Sequence, residues 1–204
     1  VSGNGIDHVD RVKPLVGNAT VVAVLVYYNG ERLAADRVRL RHAGDHNLVL
    51  PDEAPGRAFT RLLDGAPLRV VLSADFTTLK WRKLLINAIA NPITALTVRR
   101  QEVLRRDDVR ALCLSILDEA VAVAGGALLA EDEAARTLST LLTFSPEFGT
   151  SMYFDRLAGR PLEVEALTGA IVAAGEKYGV ATPVNRALLT LLRAISDTAS
   201  PARP

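Results

Sequence analysis

Cysteine is nearly absent from the 204-residue chain: Cys113 is the only one, so no intrachain disulfide can form. It stands in the apolar run Ala111-Leu112-Cys113-Leu114, with no His or second Cys beside it, which points to a buried structural thiol. Aromatic residues make up only 5% of the chain, so Trp81 and Tyr153 are expected in the core or an interface and not as stacking platforms. His8, His42 and His46 show no metal-ligand spacing and no Cys or carboxylate pattern around them, and no metal is assigned. An excess of one charge is lacking too. Lys and Arg number 24 against 23 Asp and Glu, with no block of like charges, so neither a nucleic-acid nor a membrane footprint is present. The longest apolar stretch, 120–130, is too short to span a bilayer, and no signal peptide is recognisable, so a cytoplasmic location is expected. What the chain does have is apolar residues, 49% of the total, enough for one large domain or two small ones.

The chain opens Val1-Ser2-Gly3-Asn4-Gly5 without an initiator Met and reads like the end of a strand running into a turn. It is therefore expected to be a fragment whose N-terminal part is missing. Residues 20–28 form a Val-rich strand run, Asn29-Gly30 a turn, and Arg37-Val38-Arg39-Leu40-Arg41 an alternating strand. Two further short strands are expected at 47–50 and 68–72, with a helix over 54–63 between them, Pro55 at its start and Asp64-Gly65 after its end. Beyond Asp75 the pattern turns helical: one helix capped by Thr77 or Thr78, then 107–124 broken by Gly125-Gly126, then 131–142, 151–157, 162–178 and 184–195, with a frayed tail over 196–204. The change of class marks two domains, 1–73 as the C-terminal part of an α/β domain and 74–204 as an all-α domain.

The helix from Lys80 onward carries the best clue to function. At about 3.6 residues per turn, Lys80, Lys83, Asn87, Asn91 and Thr94 share one sector, with Leu85, Ile89 and Leu96 opposite. Asn is a mediocre helix former, and two of them in an apolar segment suggest a half-buried polar stripe facing a cleft. The alternative is a solvated outer face that happens to contain Asn.

Lys83-Leu84-Leu85-Ile86-Asn87-Ala88-Ile89-Ala90-Asn91-Pro92 resembles the ketopantoate reductase family signature, in which a Lys and an Asn one turn later open the C-terminal helical domain. A second block, Thr150-Ser151-Met152, Asp155 and Gly159-Arg160-Pro161-Leu162-Glu163, resembles that family's Thr-Ser-Met, Asp and Gly-Arg-x-Thr-Glu run, with Leu162 where Thr is usual. A third, Tyr178-Gly179-Val180-Ala181-Thr182-Pro183-Val184-Asn185, resembles the segment before the last helix, and Asn4-Gly5 the turn late in the Rossmann domain. The resemblance covers nearly the whole chain and implies a Rossmann-type remnant lacking its front half. The phosphate-binding turn is not found: Gly3-Asn4-Gly5-Ile6-Asp7-His8 begins like G-x-G-x-x-G but ends in His and follows no strand. The 204 residues alone are expected to bind the nucleotide poorly.

The resemblance implies NADPH-dependent reduction of 2-dehydropantoate or a related 2-keto acid, a step of pantothenate and coenzyme A biosynthesis. It makes Lys83 the catalytic cation or proton donor at the keto oxygen, and Asn87, Asn91 and Ser151 the substrate-binding residues. Asn4 is implied to touch nicotinamide and substrate, and Glu163 to lie near both cofactor and catalytic centre. Without the resemblance, Glu163 reads as a carboxylate in a helix first turn, Ser151 as a plain N-cap, and Lys83 as a surface lysine like Lys80 and Arg82. Two departures bear on the substrate: Arg100-Gln101-Glu102 replaces a common Asn-Gly, and Glu147-Phe148-Gly149 a common Asn. The second functional reading is a truncated, non-catalytic helical interaction module derived from the same family. In either case an exposed sheet edge and an uncovered apolar face predict a homodimer or aggregate.

Overall fold

The computed structural model describes residues 1–42, 46–125 and 129–197. Gly126 of the expected helix break, the tail beyond 197 and the side chain of His42 lie outside the described residues. The chain divides into two compact units, the first of residues 1–3 and 7–80, the second of residues 4–6 and those from Trp81 onward.

The first unit is a small mixed sheet with helices. Helix α1 (His8–Val12) and a 3₁₀ turn (Lys13–Leu15) lead to β1 (Leu25–Val26), β2 (Tyr28–Ala34), β3 (Arg37–His42) and β4 (Leu48–Pro51). Helix α2 (Ala54–Arg61) then leads to β5 (Val70–Ser73). The three-stranded sheet has the order β1-β4-β5, antiparallel at Leu25↔Val49 and parallel at Leu48↔Val70 through Pro51↔Ser73. A parallel pair needs a crossover, and α2 supplies it. Gly56 lets α2 sit against the end of β4, since a Cβ there would overlap the Pro51 carbonyl. Val24, Leu48 and Leu50 on one side, and Ala23, Leu25, Val49 and Phe76 on the other, cover the two faces of this sheet.

Two expectations are corrected here. Asn29-Gly30 is not a turn: both residues lie inside β2, paired to Arg41 and Leu40, and the hairpin reverses at Ala35-Asp36. The long β2–β3 pairing outweighs the local turn preference of an Asn-Gly dipeptide. The Val-rich run also yields strand only from Leu25, with a single parallel bridge between Ser2 and Val24 before it. Helix α1 had no counterpart in the sequence reading, because five residues show too little periodicity to register.

The second unit is helical: the body of α3 (Phe76–Thr97), a 3₁₀ turn (Gln101–Arg105), α4 (Asp107–Ala124), α5 (Glu133–Leu142), α6 (Ser151–Leu157), a π-helical turn (Glu165–Gly169), α7 (Ala170–Tyr178) and α8 (Pro183–Asp197). Helix α3 starts at Phe76, so Thr77 and Thr78 lie within its first turn and do not cap it. From Leu84 to Ala95 it is apolar on most sides and packs against α4, α5, α7 and α8 residues in one core that includes Cys113, Ile116, Leu117, Leu141, Ile171 and Leu192. Glu119 on α4 fastens α8, accepting from the backbone N–H of Val184 and Asn185 at 2.8 and 2.9 Å and from the Asn185 amide at 2.7 Å. A carboxylate at a helix N-terminus meets unpaired N–H groups and the positive end of the helix dipole. The expected helix over 162–178 begins later: 161–163 are not helical, and a π-helical turn precedes α7. Among the described residues no helix is long and apolar enough to cross a membrane.

Candidate active site

The polar stripe of α3 is not a solvated outer face. Lys83 and Asn87 are half-buried, while Asn91 and Thr94, at 3% and 0% exposure, belong to the interior. Four residues along an α-helix advance about 6 Å, so Lys83, Asn87 and Asn91 form a line running inward from the surface.

Asn4 meets the outer end of this line. It stands in the Gly3-to-Gly5 turn, and Gly5 takes a φ of 93°, a left-handed conformation that glycine adopts without strain. The Asn4 Oδ1 accepts hydrogen bonds from Lys83 Nζ and Asn87 Nδ2, each at 3.4 Å. Its Nδ2 donates to Glu163 Oε2 at 2.7 Å. One amide therefore links the amine and the carboxylate, acceptor side toward the donors and donor side toward the anion, and Lys83, Asn87, Asn4 and Glu163 come together in one cluster.

Glu163 reaches this cluster from outside a helix. It is exposed, in the non-helical segment before the π-helical turn, so the expected place in a helix first turn is corrected: the turn begins only after Val164. Burial holds the Lys83 ammonium below the ordinary lysine pKa, and the Glu163 carboxylate pulls it part of the way back up.

The inner end of the stripe serves α6. Asn91 Oδ1 accepts from Ser151 Oγ and from the Met152 backbone N–H, both at 3.4 Å. Ser151 is the first residue of α6 and exposed, and it is not the N-cap: Thr150 is, its hydroxyl accepting from Tyr153 N–H at 3.1 Å and lying 2.7 Å from the Thr94 hydroxyl. Thr150, the actual cap, could have been found from its place just before the Ser-Met-Tyr helical run. Arg82 is not a plain surface residue either, since its guanidinium makes a two-pronged ion pair with the buried Glu133 at 2.9 and 3.1 Å. Trp81 and Tyr153 are buried, and Cys113 is fully buried with its thiol pushed up to about 12 by desolvation.

The two segments that depart from the family pattern lie against each other. Gln101 N–H donates to the Phe148 carbonyl and Glu102 N–H to that of Pro146, both at 3.0 Å, and Arg100 reaches the Glu147 carbonyl at 2.6 Å. The Arg100 guanidinium also sits 5.6 Å from the Tyr153 ring and 5.8 Å from that of Phe154, within cation–π range.

Residues 75–196 match the family model described as the C-terminal domain of ketopantoate reductase PanE/ApbA. The chain is 39% identical over 196 residues to a 2-dehydropantoate 2-reductase of Mycobacterium tuberculosis, which covers 95% of this chain and 65% of that protein. The chain thus spans about two thirds of that relative's length. Its fold superposes on a dimeric ketopantoate reductase of Staphylococcus aureus with a TM-score of 0.85 at 28% identity, covering 98% of this chain and 68% of the other. A D-mandelate dehydrogenase with NADH shares the fold, with a TM-score of 0.82 at 23% identity over 97% of this chain and 69% of its own. With the mixed sheet, the helical unit and the α3 polar stripe in place, these likenesses make the chain a member of the ketopantoate reductase family.

Proposed function

We propose that the complete protein reduces 2-dehydropantoate, or a 2-keto acid close to it, with NADPH, and that Lys83 is the group that supports the keto oxygen. The observation that carries this reading is the half-buried Lys83 ammonium, bonded to the Asn4 amide that in turn holds the Glu163 carboxylate. Reduction of a ketone places negative charge on its oxygen, and a fixed cation that can release a proton stabilises the transition state. Burial lowers the affinity of Lys83 for that proton and so brings its acidity closer to the working pH. Glu163 then offsets the opposite risk, that a desolvated amine would lose its proton before substrate arrives.

In this reading Asn87 orients the substrate through its amide, and Ser151 supplies a hydroxyl from the start of α6. Asn91, buried and bonded to Ser151, keeps that hydroxyl in place. The donors suit a 2-keto acid, whose carboxylate and carbonyl are both acceptors. A reduced nicotinamide fits the chemistry of the same set, because Asn4 and Glu163 offer the amide donor and acceptors that a carboxamide ring edge takes. When bound, that cofactor supplies the hydride. We place the protein in the cytoplasm as a homodimer, in line with the dimeric staphylococcal relative.

The test is Lys83→Ala in the complete protein, which should lower kcat at least about 100-fold with cofactor affinity nearly unchanged. Asn87→Ala should raise KM for the keto acid. Unaltered kcat in the Lys83→Ala protein would remove Lys83 from the mechanism. A folded wild-type protein with no reductase activity on any 2-keto acid would favour the interaction-module reading.

A further inference from the structure

Glu163 owes its place to a turn and not to a helix. The Val164 N–H donates to the Leu162 carbonyl at 2.8 Å, closing a three-residue turn with Glu163 at its centre. On the far side the Gly169 N–H reaches back five residues to the Val164 carbonyl at 3.0 Å, which makes the first turn of this helix a wide, π-type one. Such turns are rare, short and weak on their own. If it wound as a regular α-turn, residues before it would swing by roughly one residue's rotation, about 100°, and carry the Glu163 carboxylate away from Asn4.

Helix α8 holds the turn on both sides. The Ser196 hydroxyl accepts from the Leu162 N–H at 3.0 Å, just before Glu163. One turn earlier on the same face, Arg193 makes a two-pronged ion pair with Glu165 at 2.7 and 2.9 Å, just after it. The ion pair is exposed on both partners and screened by solvent, whereas the Ser196 bond is half-buried and ends on a backbone group of a buried residue. The Ser196 bond is therefore the firmer of the two grips.

We propose that Ser196 is a positioning residue for the active site: its hydroxyl pins the Leu162 backbone so that the turn centred on Glu163 presents the carboxylate to Asn4 and Lys83. This rests on the reading that Glu163 belongs to the site. Ser196 touches no reacting group and acts only through the turn.

The proton affinity of Lys83 reads the position of Glu163 directly, and it can be measured in the 204-residue chain without cofactor or substrate. Trace acetylation over a pH series, quantified at peptide resolution, gives the midpoint for Lys83. Glu163→Gln removes the charge that raises this midpoint and should lower it. Ser196→Ala should move it in the same direction by roughly half as much, and Ser196→Thr, which keeps the hydroxyl, should restore it. In the complete protein Ser196→Ala should lower kcat about fivefold with little change in KM for the keto acid. A wild-type midpoint in Ser196→Ala, with Glu163→Gln shifted, overturns the positioning role and leaves Glu163 in the site. An unmoved midpoint in Glu163→Gln overturns the site assignment and this inference with it. Should Ser196→Ala fail to fold, Ser196→Cys keeps the volume with a much weaker acceptor, and a wild-type midpoint in it overturns the role equally.

Discussion

Lys83 shows how little a residue's identity says before its surroundings are known. As a lysine on a helix beside Lys80 and Arg82 it reads equally well as solvated surface. Half-burial beside Asn4 and within the field of Glu163 separates it from a surface amine, lowering its proton affinity by desolvation and partly restoring it by charge. The sign of the pH dependence follows. The protonated form is the donor, so kcat/KM of the complete protein should fall as pH rises through the Lys83 pKa, with a midpoint below the ordinary lysine value of 10.5. Glu163→Gln should move this limb further toward neutral pH, because the charge that holds the proton is gone. An alkaline limb at or above 10.5, or one that Glu163→Gln leaves in place, would dissociate Lys83 from proton donation. The neighbouring Arg82 has the opposite lesson: its charge is committed to Glu133.

Among the elements, α3 was legible in its line of Lys83, Asn87 and Asn91, since the spacing is a property of helix geometry alone. Its ends were not. The expected caps, Thr77 and Thr78, lie inside the helix, and its C-terminus is closed by Val98 at a φ of 53°, with the Arg99 N–H reaching back to the Thr94 carbonyl at 3.3 Å. This six-to-one closure normally places glycine at the left-handed position, and a β-branched residue there is strained. Val98→Gly should therefore stabilise the chain by about 1 kcal/mol, seen as a higher Tm or urea midpoint. Unchanged or lowered stability would mean that the exposed Val98 side chain contributes at least as much as the relief of strain. Helix α6 begins where expected, with Thr150 and not Ser151 as its cap: both are capping types, and the Thr150 hydroxyl is the one that accepts from the Tyr153 N–H while meeting the Thr94 hydroxyl, 56 residues away in sequence. The π-helical turn before α7 had no sequence signal: a helical pattern from Leu162 onward fits the apolar positions equally well.

At the scale of the whole molecule, the first unit presents apolar side chains to solvent. Leu33, Val38 and Leu40 on the β2–β3 hairpin and Val71 on β5 are all exposed, and a two-stranded hairpin has marginal stability by itself. Association that covers this surface is the expected outcome. Light scattering should give a dimer or larger species at micromolar concentration, with a Tm that rises with protein concentration, and Val38→Lys with Leu40→Lys should shift the chain toward monomer. A monodisperse monomer with a concentration-independent Tm would count against it.

The sequence by itself determined the class of each half, the helical stripe and the family, because strand alternation, helix periodicity and local motif spacing are properties of contiguous residues. Helix α4 and helix α6 matched their expected bounds for that reason. The tertiary structure decided which residues become neighbours across large sequence separations. Asn4 bonds to Glu163 from 159 positions away, and Ser196 reaches Leu162 from 34. It also decided that Asn29-Gly30 extends a strand and that Glu163 sits on a turn, since long-range pairing and packing outweigh local preferences that differ by no more than about 1 kcal/mol per residue. The line of polar groups on α3 was written in the chain, but Asn4 and Glu163 meet it only once the chain has folded.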